Sequence, residues 1–132
     1  MIVLDTHVLM WLRLGERQLG SEAQTLINEA WRANSLCVSA ISFWEVELLR
    51  VKRRIRFPAD VGAWRRELLA QGVMEIPVDG AIGIRAAGLQ DFHADPADRV
   101  IVATALDEHQ LVTADQSILG WSGTLDRLDA RA

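Results

Sequence analysis

Short apolar, β-branched runs alternate with amphipathic helical stretches along this chain, and no hairpin signal joins any two of the runs. That alternation limits the fold more than any other feature. Strands separated by helices pair in parallel, and a parallel sheet is covered on both faces. The strand candidates are Ile2-Val3-Leu4, Leu36-Cys37-Val38, Met74 to Val78, Leu111-Val112-Thr113 and a last edge strand near Thr124 to Leu128. Pro77 marks the third as an edge or a strand end, because proline cannot donate to the ladder. Between them, helices are expected over Val8 to Leu14, then from a capping box of Ser21 and Gln24 with Ala23, Leu26, Ile27, Ala30 and Trp31 at helical spacing. A third carries Phe43 to Val51 behind a cap at Ser39 or Ser42. After the break at Phe57-Pro58, a fourth runs from about Asp60 to Gln71, stopped by Gly72. Asp79 caps a helix reaching about Leu89, Asp95-Pro96 opens one through about His109, and a short turn follows Asp115. The expected architecture is α/β: one domain over 1–132, with a central parallel sheet of four to five strands and helices on both faces.

The length suits that architecture. At 132 residues the chain has room for one ordinary domain, which should bury roughly two thirds of its unfolded surface. Half the residues are hydrophobic and 24% are charged, the balance of a packed globule. The single cysteine, Cys37, excludes an intrachain disulfide and a zinc knuckle, and reads as a small buried apolar residue. The opening MIVLDTHVLM lacks the basic start and cleavage site of a signal peptide. The stretch Val100 to Leu106 is far too short to cross a bilayer. A cytoplasmic location, without a membrane partner, is the expectation.

In open parallel sheets, ligands bind beyond the carboxyl ends of the strands. Asp5 directly follows the first strand, and Asp115 lies one residue past the fourth. Each alone reads first as a helix N-cap. Two further acids make capping an insufficient account. Glu45 lies in the first turn of its helix, beside the apolar Trp44–Leu48–Val51 row. Asp98 shares a face with Ile101, Val102 and Ala105, the side that should bury. The helix dipole favours negative charge at both positions, yet a carboxylate turned toward a core is costly unless something cationic meets it. Asp95, with Pro96 at the first helical position, is assigned mainly to capping and Asp98 to the site. Oxygen ligands without clustered imidazoles suit Mg²⁺ or Mn²⁺ rather than zinc. His93 could lie near the mouth of the site, but reads first as a solvated loop histidine. Thr6, Thr113 and Ser39, at strand ends, could orient a carboxylate or simply cap.

The net charge of −4 hides a distribution: 14 basic residues face 18 acidic ones, so neutralising four carboxylates would balance the rest. Arg50, Lys52, Arg53, Arg54 and Arg56 crowd together, with Arg65 and Arg66 soon after. Such a strip can hold phosphates, and it can equally be a solvated helix face. Arg50, Lys52, Arg53, Arg54 and Arg99 are the candidate contacts to nucleic-acid phosphates. Of the five tryptophans, Trp11, Trp31, Trp44 and Trp64 are expected to pack, and Trp121, in a loop, is the candidate for base stacking.

The stretch Leu4-Asp5-Thr6-His7-Val8-Leu9-Met10-Trp11 resembles the start of PIN-domain ribonucleases, in particular the toxin members of VapBC-type toxin–antitoxin pairs. Ser39-Ala40-Ile41-Ser42-Phe43-Trp44-Glu45-Val46 resembles their second motif, the run Asp95 to Ala105 their third, and Leu111-Val112-Thr113-Ala114-Asp115 their fourth. The order is the family's, and the matches span residues 4 to 115. The resemblance implies a single PIN-like domain, Mg²⁺ or Mn²⁺ dependence and endonucleolytic cleavage of RNA. It places an acidic quartet on Asp5, Glu45, Asp98 and Asp115, as catalytic residues and metal ligands. It also implies a homodimer and a cognate antitoxin whose tail occupies the active-site groove. Two departures bear on the groove: Asp91-Phe92-His93-Ala94 stands where similar toxins often have a proline and paired histidines, and Ala97 replaces a bulkier residue. The competing readings are a PIN-like binding module without catalysis and a phospho-acceptor receiver domain. The receiver needs a lysine after a late strand, whereas the only lysine, Lys52, falls in a helix.

Overall fold

Three residues of β-strand, Ile2–Leu4 (β1), set the geometry of everything else. In the computed structural model, which describes residues 1–15, 17–57 and 60–132, β1 is central and pairs in parallel with β2 (Leu36–Ser39) on one side and β4 (Gln110–Thr113) on the other. Beyond them, β3 (Met74–Ile76) and β5 (Arg127–Asp129) form the edges, giving the order β3-β2-β1-β4-β5 with every pairing parallel. The period of two along the strands divides the core. Leu4, Leu36, Val38 and Val112 face one side, where α1 (Thr6–Leu14), α2 (Ser21–Arg32), α3 (Ile41–Val51) and α4 (Val61–Ala70) pack. Val3, Cys37 and Leu111 face the other, against α6 (Pro96–Ala105) and α7 (Gln116–Leu119), while α5 (Gly80–Ala87) lies on α6 through Ile82, Ala86 and Ala103. Cys37 is buried, as expected. No described helix is long and apolar enough to cross a membrane.

Several helix limits differ from the sequence reading, and the physical reasons are visible. α1 begins at Thr6 rather than Val8, because Asp5 itself caps it. The Ser21–Gln24 capping box does not form. Gly20 is the N-cap; the Gln24 amide turns back to the Leu19 carbonyl, and the Ala23 N–H is met by the Ala132 carbonyl at 3.2 Å. The backbone of residues 130–132 lies so close that a Cβ at Gly20 would fall 1.8 Å from the Ala132 oxygen. A tertiary contact thus replaces the local cap. Of the two serines offered as caps for α3, Ser39 accepts from the Ile41 N–H at 3.2 Å, whereas Ser42 is buried inside the helix. α6 ends at Ala105, short of His109. Gly72 does stop the chain after α4, at φ +96°. The expected break at Pro58 lies outside the described residues.

Candidate active site

A parallel sheet puts the carboxyl ends of β1, β2 and β4 on one rim, and the next helices start there. Asp5 is the residue after β1 and is almost fully buried. Its Oδ1 accepts the Thr6 N–H at 2.8 Å, and its Oδ2 accepts the Thr113 hydroxyl at 2.7 Å. Thr113, the last residue of β4, uses the same hydroxyl oxygen to accept the Asp115 N–H at 3.1 Å. Asp115 in turn caps α7, accepting from the Ile118 N–H at 3.0 Å. Capping and clustering are therefore not alternatives: these acids cap their helices and stand at one rim. Thr113 is the pin between them.

The other acids arrive on helices. Ser42, in the first turn of α3, accepts the Thr6 hydroxyl at 2.9 Å. That bond locks α3 to the start of α1 and turns Glu45, one helical step further, toward the rim. Among the described residues Glu45 Oε1 is buried without a hydrogen-bond partner. Asp98 sits at the third position of α6, with Asp95 as the cap: Asp95 Oδ1 accepts the Asp98 N–H at 3.1 Å. Glu45, Asp95 and Asp98 each place one carboxylate oxygen within 4.8 Å of the others. The sequence reading gave Asp95 mainly to capping. It caps, and it also joins the cluster.

The electrostatics follow from crowding in a half-dry site. Burial pushes the Asp98 carboxyl up to about 6, with the His93 imidazole pulling the other way and Asp5, Asp95 and Asp115 adding to the rise. Burial also raises Asp5 and Glu45, against the hydrogen bonds of Thr113 and Thr6 to Asp5 and the nearby Thr6 hydroxyl at Glu45. Asp5, Glu45 and Asp98 each feel a neighbour's negative charge, and no lysine or arginine forms an ion pair with any of the rim acids among the described residues. A buried carboxylate oxygen with no donor is costly. A set of hard oxygens with one such orphan suits a hard divalent cation, and the residues fit such an ion.

Of the two places open to His93, the structure takes the mouth of the site over a fully solvated loop: the ring is partly buried and its Nε2 lies 2.7 Å from Asp98 Oδ2. The signal was faint: His93 stands two residues before the N-cap, where the chain doubles back over the first helical turn. Arg99 was misplaced as a phosphate contact. A guanidinium has five N–H donors, and all five meet carbonyls, those of Ala86, Ala87, Leu89, Phe92 and His93. The tryptophans exchange roles. Trp121 donates its indole N–H to the Gln90 carbonyl and meets Phe92 edge-on, so it is a structural residue. Trp44, expected to pack, is 51% exposed at the first turn of α3. The buried row on this helix is Phe43–Val46, not Trp44–Leu48–Val51.

The basic strip lies at the opposite end of α3 from Ser42. Lys52, Arg53 and Arg54 are exposed, while Arg50 bonds Glu47 on its own helix. At 1.5 Å per residue, Lys52 lies about 10 Å along the axis from Glu45.

The PIN domain profile matches residues 2–119. The chain is 33% identical over 119 residues to ribonuclease VapC22 of Mycobacterium tuberculosis, covering 89% of this chain and 88% of that one. Its fold is similar to that of a chain in a toxin–antitoxin complex from Klebsiella pneumoniae, with a TM-score of 0.66, 24% identity and 98% of each chain covered.

Proposed function

The chain belongs to the PIN-domain family, and from that premise we propose that it is a metal-dependent endoribonuclease, the toxin of a type II toxin–antitoxin pair. The observation that carries the reading is the orphaned Glu45 oxygen inside a cluster of acids that have no lysine or arginine partner among the described residues. Asp5, Glu45, Asp98 and Asp115 are the proposed ligands, with Asp95 added by its place beside Glu45 and Asp98. A Mg²⁺ or Mn²⁺ ion held there would lower the pKa of a water and stabilise charge building on the scissile phosphate.

The chain's own residues do the rest. Thr113 fixes Asp5 and the backbone of Asp115 together, so the two strand-end acids keep one separation. Ser42 and Thr6 hold α3 so that Glu45 cannot swing out. The exposed Lys52, Arg53 and Arg54 hold phosphates flanking the cut, and binding should weaken steeply with salt. Arg99, with its donors committed to carbonyls, leaves that set. In this reading the whole chain, 1–132, is one domain, cytoplasmic and homodimeric, silenced by a cognate antitoxin protein that covers the site. The relative's name, a ribonuclease, supports RNA as the substrate.

The test is cleavage of total cellular RNA by antitoxin-free protein in Mn²⁺, in Mg²⁺ and in EDTA, beside Asp98→Asn. Removing a ligand should cost about a hundred-fold or more, since the metal's share of the barrier is several kcal/mol. Cleavage that survives both EDTA and the substitution would sink the reading.

A further inference from the structure

One group at the rim has no part in the reaction just described, yet several side chains converge on it. The His93 ring stacks on Phe92, centroids 4.3 Å apart at 29°. Phe92 meets Trp121 edge-on at 5.6 Å, and the Arg99 guanidinium lies over the Phe92 ring, 5.8 Å from its centre. Trp121 ties its indole N–H to the Gln90 carbonyl at 2.8 Å. Arg99 gathers the carbonyls of residues on both sides of the loop, His93 among them at 3.0 Å. The loop even holds Asp91 at φ +56°, a left-handed conformation that side chains other than glycine adopt at a cost. So much apparatus around a surface loop fixes one thing that faces the acids, the imidazole.

We infer that His93 is a positioning residue for Asp98: its Nε2–H holds Oδ2 and leaves the other oxygen of that carboxylate to the cation shared with the neighbouring acids. A free carboxylate rotates about its last torsion, and a crowded set of like charges drives it outward. A donor on one oxygen stops that rotation before the cation arrives. Phe92, Trp121 and Arg99 act through His93, by keeping its ring in place. The inference rests on the metal-dependent reading above and names a residue that reading does not use.

The test is Mn²⁺ titration of the purified full chain, by calorimetry or by the EPR signal of free Mn²⁺, for wild type, His93→Gln, His93→Phe and His93→Ala. Gln can carry an N–H to the position of Nε2; Phe keeps the stack on Phe92 and has no donor. Groups that orient a metal ligand are typically worth ten- to a hundred-fold in affinity. The Phe and Ala variants should therefore weaken Mn²⁺ binding by about ten- to a hundred-fold, with Gln restoring most of it. Unfolding in EDTA shows that the Phe variant is folded. Wild-type affinity in His93→Phe, or a Gln variant as weak as Ala, would overturn the inference and reduce His93 to packing. A wild type that binds Mn²⁺ and cuts no RNA overturns the ribonuclease reading alone, and one that binds no Mn²⁺ overturns both.

Discussion

The acids at the rim reach it by two routes, and the routes leave them in different states. Asp5 and Asp115 stand directly after β1 and β4, where backbone N–H groups and the Thr113 hydroxyl meet their oxygens. Glu45 and Asp98 ride on α3 and α6, and they depend on what packs around those helices. Glu45 keeps a buried oxygen with no partner among the described residues, and Asp98 has a loop histidine. The strand-end pair is part of the folded framework. The helix-borne pair is loaded against it, and the difference separates carboxylates that the backbone and Thr113 satisfy from carboxylates that depend on their surroundings.

The sharpest way to break that contrast is to supply the cation. At a hundred times its dissociation constant, Mn²⁺ should stabilise the protein by about 2.7 kcal/mol, read from denaturant unfolding at pH 7.5. The gain should shrink toward pH 5. Burial raises the carboxyls of Asp5, Glu45 and Asp98, the last to about 6. A raised acid binds its proton more tightly folded than unfolded, so its charge is a penalty fully present above the folded pKa and relieved as pH falls through it. Protonation thus competes with Mn²⁺ in the window below about 6. An Mn²⁺ effect equal at both pH values would erase the distinction.

Next in size are two substitutions of opposite sign, both measured in EDTA at pH 7.5. Thr113→Val keeps the shape but leaves an Asp5 oxygen and the Asp115 N–H unmet, and should destabilise by about 1–3 kcal/mol. Glu45→Gln removes a buried charge that no lysine or arginine among the described residues meets, and should stabilise by about 1 kcal/mol. If both destabilise, Glu45 has a partner in solution that its surroundings here do not supply.

The same contrast governs what the sequence made legible. Strand–helix alternation gave the parallel sheet and both layers, because periodicity is local. Asp5 and Asp115 could be placed at the rim from their position alone. Glu45 and Asp98 could be suspected from the face they share with apolar neighbours. His93, Arg99 and Trp121 were misread for one shared reason. Each acts through a loop whose path depends on the others, and no spacing rule encodes five carbonyls converging on one guanidinium. Trp44 was misread because two apolar rows on α3 compete for the core, and only the packed helix shows that Phe43 against Trp64 wins.

The smallest effect comes from a carboxylate that already has what Glu45 lacks. Glu75, on the edge strand β3, receives both the Nε and an Nη of Arg65 at 2.7 Å. That hydrogen-bonded cation holds its carboxyl below the ordinary range. The sign is therefore reversed relative to the rim: stability from this pair is present above the unfolded glutamate pKa and is lost as pH falls through the folded one. The pair is partly exposed, so solvent screens it, and removing it should change stability less than either substitution above. Glu75→Gln should lower the unfolding midpoint slightly at pH 7.5 and not at all near pH 3, with Mn²⁺ without influence on either result. Glu45→Gln should instead stabilise at pH 7.5 and abolish the response to Mn²⁺, and it too should fall silent near pH 3, where its raised carboxyl is already protonated. Matching profiles for the two variants would mean that the rim acids are ordinary surface carboxylates, and the case for a cation among them would fall.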